Sequence, residues 1–194
     1  MDKDTFQSRS LAAAKARRFA GVASPPRADA PPAPAPPAPA SPEAEGRMAD
    51  VTAKPVVRRE AVAEGFLRLK DATLRAMDAG ALPKGDAFAP ARIAGIMAAK
   101  NTPQLVPLCH PIPLTSVEVS LVREERGVRC RASVVAEWKT GVEMEALAAV
   151  TAALLTVWDM AKALEKDATG NYPDTAIEAV RVLSKTKGSP ERGR

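Results

Sequence analysis

The sequence predicts an α+β protein with a mostly antiparallel sheet packed against helices. Three patterns carry that expectation. Strand-like and helix-like segments are interleaved from about residue 50 onward. Two alternating segments, 117–121 and 128–135, flank the short polar turn 124–127 and read as a hairpin. Leu147, Val150, Leu154, Val157, Ala161 and Leu164 recur at spacings of three and four, the stripe of a long buried helix.

In chain order, residues 54–70 mix Val57, Ala61, Ala63 and Phe66 among charges and read as a strand or extended pair. Residues 72–79 form a short helix with Leu74 and Met77 at i,i+3, and Gly80 stands where a helix stop belongs. Pro83-Lys84-Gly85-Asp86 is a turn whose Asp86 can cap the next helix, 87–100. That helix presents Ile93, Ile96 and Met97 on one face. Its small residues Ala91, Ala94, Gly95, Ala98 and Ala99 permit close approach of another backbone. Pro103, Pro107, Pro111 and Pro113 hold an extended, irregular segment. After the hairpin, Gly141 precedes the long helix 142–166, and a loop with Asn171, Pro173 and Asp174 leads to a last strand, 177–183.

Composition divides the chain. Nine of its 18 prolines lie between Pro25 and Pro42, alternating with alanine and offering no large apolar side chain to bury. Such a segment cannot recover its ordering entropy, so residues 1–47 are expected to be a disordered tail. Domain 48–187 follows, and then a short flexible C-terminus, 188–194. The net charge is +5, of which the tail's seven Lys/Arg and five Asp/Glu supply +2, leaving +3 on the rest. That mild surplus suits an anionic small molecule. No run of clustered Lys/Arg with interleaved aromatics appears, which sets nucleic acid aside as a partner. Two cysteines without a secretory signal place the chain in a reducing cytoplasm. No apolar run is expected to approach the roughly 20 residues that span a bilayer. Asp2 and Asp4 argue against an organelle transit peptide.

The chemistry-bearing residues are few. His110 is the single histidine, held between prolines in a loop. A lone histidine is by default structural, but one braced on a rigid loop is a stronger catalytic candidate than average. Cys109 and His110 are successive residues of an extended segment and point to opposite faces, so they are badly placed as a thiol–imidazole pair. One His and two Cys lack zinc spacing. Asp159 and Lys162 stand at i,i+3 on the long helix, which by itself is a surface ion pair. Glu143 and Glu145 lie at its N-terminal end, where carboxylates suit the helix dipole. Fourteen residues at about 1.5 Å each put Glu145 and Asp159 roughly 21 Å apart if the helix is continuous. Either the two ends serve opposite parts of a long substrate, or a site joins residues of different subunits. Lys84, Lys100 and Lys185 stand at breaks in structure; convergent lysines bind phosphate, and desolvation can lower a lysine's pKa.

Taken together, these residues resemble one family. Lys84-Gly85-Asp86, Ala91-Arg92-Ile93-Ala94-Gly95-Ile96-Met97-Ala98-Ala99-Lys100, Pro107-Leu108-Cys109-His110-Pro111, Thr140-Gly141-Val142-Glu143-Met144-Glu145-Ala146-Leu147 and Asp159-Met160-Ala161-Lys162-Ala163 look, in this order, like the cyclic pyranopterin monophosphate synthases of molybdenum-cofactor biosynthesis. The resemblance implies a ferredoxin-like protomer in a homohexamer, a trimer of dimers with sites at subunit interfaces. It implies the substrate 3′,8-cyclo-7,8-dihydro-GTP, supplied by a radical-SAM GTP cyclase, and a lyase reaction that releases pyrophosphate. It implies no obligatory cofactor and leaves room for Mg2+. Lys84, Asp159 and Lys162 would be catalytic, with Lys162 the general acid and Asp159 tuning it. Lys100, Leu108, Cys109, His110, Glu143, Met144, Glu145 and Lys185 would bind substrate. Clustered cations would also push a lysine's pKa downward. Three features depart from the family pattern: Ala161 where many relatives carry cysteine, a longer loop 167–175, and an ending without Gly-Gly-Lys-Ser-Gly.

Overall fold

The computed structural model describes residues 46–189. The expected tail 1–47 lies outside them apart from its last two residues, as does the expected C-terminus from 190 onward. The elements are β1 (Val57–Arg68), α1 (Asp71–Asp78), α2 (Phe88–Lys100), α3 (Thr102–Leu105), β2 (Leu114–Glu124), β3 (Gly127–Trp138), α4 (Glu143–Glu165) and β4 (Ala176–Lys187). Four antiparallel strands lie in the order β2-β3-β1-β4. With helical connections before β2 and before β4, this is the β-α-β-β-α-β ferredoxin-like arrangement.

Alternation builds the sheet. Val128, Cys130, Ala132, Val134 and Ala136 of β3 are all fully buried on one face, as a period of two requires. The hairpin needs Gly127, because a Cβ there would lie 2.0 Å from the Leu67 carbonyl oxygen. The opposite face carries one buried carboxylate, Glu64, which accepts hydrogen bonds from Arg131 at 3.1 Å and Arg181 at 2.7 Å. Burial works against its charge. The two guanidinium hydrogen bonds and the nearby Arg129 outweigh that and hold its pKa below the usual range.

Of the expected 54–70, β1 takes Val57–Arg68 as one strand, and β2, β3 and β4 all run further than alternation alone suggested. In β4 the extra length includes an irregularity. Ala179 has φ 52°, and the β1–β4 register shifts beside it, between Glu64 and Phe66. The proline segment is not wholly extended: Pro103 sits in the first turn of α3, where its missing N–H costs nothing.

The small residues of α2 make the close approach expected of them, while its large apolar face points outward. Ile93 and Met97 are 60% and 56% exposed, while Ala91, Gly95 and Ala99 are buried. A Cβ at Gly95 would stand 2.9 Å from the Ala149 carbonyl oxygen. The two helices are therefore too close for large side chains between them, and the small residues form the contact.

α4 keeps the middle of its predicted stripe, with Val150, Leu154, Val157 and Ala161 fully buried, but Leu147 is only partly buried and Leu164, near the helix end, is exposed. It is also the one described helix long and apolar enough to cross a membrane. This corrects the expectation that no run reaches that length, since its alanines keep charges sparse. Its packing against the sheet and α2 is that of a core helix.

Candidate active site

Lys84 belongs to the turn before α2. Gly85 N donates to the Leu82 carbonyl at 3.0 Å. Asp86 then caps the helix, accepting from Phe88 N at 2.9 Å and Ala89 N at 3.2 Å. The turn carries the Lys84 ammonium to Asp159 of α4, Nζ to Oδ2 2.5 Å. Lys162 approaches the other oxygen, Nζ to Oδ1 2.7 Å. All three side chains are about half exposed, at 47%, 50% and 46%. The carboxylate is thus held between two ammonium groups from two elements. The Lys162 hydrogen bond, followed by that of Lys84, depresses the Asp159 pKa to about 2. The carboxylate acts reciprocally and raises the pKa of Lys162. This is opposite to the expected downward push, because Lys162 is exposed and its strongest neighbour is an anion.

The beginning of α4 gathers a different set. Glu145 is only 2% exposed. Its Oε1 is 4.0 Å from the Cys109 Sγ, and its Oε2 is buried without a hydrogen-bond partner. Burial, then the charge of Glu143, pushes Glu145 above the usual carboxylate range. Burial and Glu145 likewise raise the Cys109 thiol, which stays protonated and donates. Glu143 accepts from Lys185 at 2.9 Å. Burial pulls its pKa upward, but the Lys185 hydrogen bond, helped by Arg59, holds it below normal.

His110 turns away from Cys109. Its Nε2 is 2.7 Å from the Ala49 carbonyl, so that nitrogen carries the proton. Leu108 and Met144 are exposed at 51% and 41%. Lys100 is exposed at the end of α2, without an ion-pair partner among the described residues.

The structure therefore brings the candidates together in two groups. Lys84, Asp159 and Lys162 form one. Glu143 with Lys185, and Glu145 with Cys109, form the other. Helix α4 runs unbroken from Glu143 to Glu165, so about 21 Å separates the groups along its axis. A cavity of about 300 Å³ lies behind the Lys84 turn, lined by Met77, Leu82, Phe88 and Arg123 among others, but it does not include Asp159 or Lys162. Among the described residues no group of three or more His, Cys, Asp and Glu side chains could hold a metal ion.

Two neighbours were not legible beforehand. Arg59, from the start of β1, donates to the carbonyls of Trp138 at 3.4 Å and Lys139 at 3.2 Å, just ahead of Glu143. Tyr172 packs on Trp158 beside the Asp159–Lys162 pair. Both contacts join residues that no local pattern relates; only the unusual length of loop 167–175 drew notice to Tyr172.

A family model described as the MoaC family matches residues 48–188. A probable cyclic pyranopterin monophosphate synthase of Aeropyrum pernix is 57% identical over 141 residues, covering 73% of this chain and 97% of that protein. One of the same name from Archaeoglobus fulgidus is 53% identical over 145 residues, 75% of this chain and 93% of its own length. A third, from Thermococcus kodakarensis, is 52% identical over 142 residues, 73% of this chain and 91% of its own.

Proposed function

The chain belongs to the MoaC family, and from that premise we propose how its residues carry the reaction. It is a lyase of molybdenum-cofactor biosynthesis, of the cyclic pyranopterin monophosphate synthase class. The substrate in this reading is 3′,8-cyclo-7,8-dihydro-GTP, supplied by a radical-SAM GTP cyclase. A substrate hydroxyl attacks the α-phosphorus, the bond to pyrophosphate breaks, and ring rearrangement yields cyclic pyranopterin monophosphate. No electron is gained or lost, so the protein must move protons and offset phosphate charge.

The observation that carries the reading is Asp159 held between Lys84 and Lys162. Fixed ammonium groups stabilise charge that develops on phosphate oxygens. Lys162, kept protonated by Asp159, is the general acid. At the other end, the unpartnered oxygen of buried Glu145 is an acceptor ready for an N–H of the purine-derived ring, with Cys109, Leu108 and Met144 around it. Glu143 contributes there, and Lys100, His110 and Lys185 contact phosphate and substrate in this reading. No protein cage for a metal is needed. Mg2+ would arrive on the phosphates, as it commonly does.

One chain cannot bring both groups to one small substrate, so the working site joins two subunits. A twofold axis near the middle of α4 would set the Asp159 end of one chain beside the Glu145 end of its partner. The exposed Ile93, Met97 and Leu155 between the ends supply an apolar face for that contact. A homohexamer built as a trimer of such dimers, working in the cytoplasm, completes the reading.

The test is a product assay with enzymatically generated cyclic dihydro-GTP, following pyrophosphate and the pterin. Product from the wild type and none from Lys162→Ala supports the assignment. A folded wild type that binds nucleotide without turnover would make this a binding protein instead.

A further inference from the structure

We propose that Asp86 is a positioning residue for Lys84: the hydrogen bonds by which it caps α2 hold the turn that delivers the Lys84 ammonium to Asp159. The proposal rests on the reading of Lys84 as part of the catalytic cluster.

Lys84 stands on the connection between α1 and α2, not on a helix or strand. A lysine carries its charge on a flexible four-carbon stem with no directional fork. Where its ammonium stands therefore depends on how firmly the backbone beneath it is held. Two anchors flank it. On one side the Leu82 side chain is buried, and its carbonyl accepts from Gly85 N at 3.0 Å, closing the turn around Lys84. On the other side Asp86 uses both carboxylate oxygens, Oδ1 toward Phe88 N at 2.9 Å and Oδ2 toward Ala89 N at 3.2 Å.

Nothing else at this end of α2 can do the same. Ala87 offers no side-chain acceptor, and the first turn of the helix contains no acidic residue. The turn also lacks backing. Gly85 has φ 82°, a conformation that glycine adopts freely, and a Cβ there would have open space around it. Behind the turn lies the cavity of about 300 Å³, which Gly85 and Asp86 help to line. Hydrogen bonds rather than packing thus fix the backbone at Lys84. Beyond the cap the frame is rigid: α2 lies against α4 so closely that Gly95 has no room for a Cβ beside the Ala149 carbonyl. Asp159 belongs to that same α4. The path from Lys84 to its partner through the protein runs by way of the Asp86 cap.

If Asp86 serves only the helix, its loss lowers stability and leaves Lys84 where it is. Asp86→Ala removes the acceptor, whereas Asp86→Asn keeps an acceptor oxygen in the same place and caps about as well. Two readouts on the full chain separate the cases. One is the NMR signal of the Lys84 ε-methylene at neutral pH, assigned with Lys84→Arg, with Asp159→Asn giving its position when the pair is broken. The other is kcat and KM with cyclic dihydro-GTP. In Asp86→Ala the Lys84 signal is expected to move toward the broken-pair position. Its kcat should fall about tenfold while KM changes by less than about threefold. Asp86→Asn should restore the signal and bring kcat to within about twofold of wild type. Asp86→Gly, milder at a helix N-terminus, replaces the Ala variant if that chain does not fold. A variant without the acceptor that melts lower yet keeps the wild-type Lys84 signal and kcat overturns the proposal. So does an Asn variant as impaired as Ala, because the charge and not the cap would then be what matters. A displaced Lys84 signal in a protein whose wild type shows no turnover would instead refute the proposed function and leave the Asp86–Lys84 relationship standing.

Discussion

Lys84 and Asp159 are 75 positions apart in the chain, yet their side chains meet at 2.5 Å. The turn before α2 and the penultimate turns of α4 are thereby joined at the point where Lys162 also reaches the carboxylate.

Asp159→Asn should separate charge from shape here. The variant keeps the side chain's size but removes the anion that orders both lysines. Because Asp159 is half exposed, the melting temperature should hardly change, as exposed ion pairs contribute little. Turnover should fall by about 100-fold or more. Activity within a few-fold of wild type would show that the two lysines work without it.

The same ion cluster fixes a pH window. A carboxylate with a depressed folded pKa contributes stability above its unfolded value, 3.8, and loses it as pH falls through its folded value, about 2. Asp159 therefore stays ionised throughout the working range, and an acid limb of kcat belongs to another group. Glu145, whose pKa is raised, is the named source. A pH profile of Glu145→Gln that keeps the wild-type acid limb would remove Glu145 from that role.

Stability should respond to Glu145 in the opposite sense. Its raised pKa means that the favourable, protonated state is fully present below the unfolded value, 4.5, and is lost as pH rises through the folded one. A buried oxygen without a partner adds to that cost. Glu145→Gln should raise the melting temperature by about 2–4 °C at neutral pH, on the order of 1 kcal/mol, and by nothing near pH 4. Turnover should drop in the same variant, the trade expected of a group kept for function. Differential scanning calorimetry at the two pH values measures this.

Gly95→Ala tests the helix contact. The added carbon would press on the Ala149 carbonyl at 2.9 Å, on Val119 and on Ala153. The cost should be about 1–3 kcal/mol by chemical denaturation, as for other overpacked contacts. Lys84 should lose alignment with Asp159, so kcat should fall more than KM rises.

Subunit mixing tests the shared site. Asp159→Asn and Glu145→Gln chains, each strongly impaired alone, should regain about a quarter of wild-type activity when coexpressed. Random pairing gives half mixed dimers, and each has one intact site of two. No recovery in mixed assemblies would place each complete site within one chain.

Much of the fold was readable from local pattern. The alternation around Cys130 and the stripe from Val150 to Ala161 follow from strand and helix periods of 2.0 and 3.6. Asp86 as a cap was readable for the same reason, since capping acts within three residues. The close contact of α2 was readable from its small residues around Gly95, but not that Ile93 and Met97 would stay exposed. Nor was the direction of the Lys162 shift, which depends on how exposed the ammonium is and which charge lies nearest.

The sequence by itself determined the main elements and their order, α3 excepted, and a long α4 along which Glu145 and Asp159 stand about 21 Å apart once the helix proves continuous, because backbone geometry sets rise and period locally. Only the tertiary structure decided which distant groups meet. Lys84 reaches Asp159, Tyr172 reaches Trp158, and Glu145 is buried with a free oxygen, through contacts between elements far apart in the chain. Such contacts arise from how whole layers pack, and no local spacing encodes them.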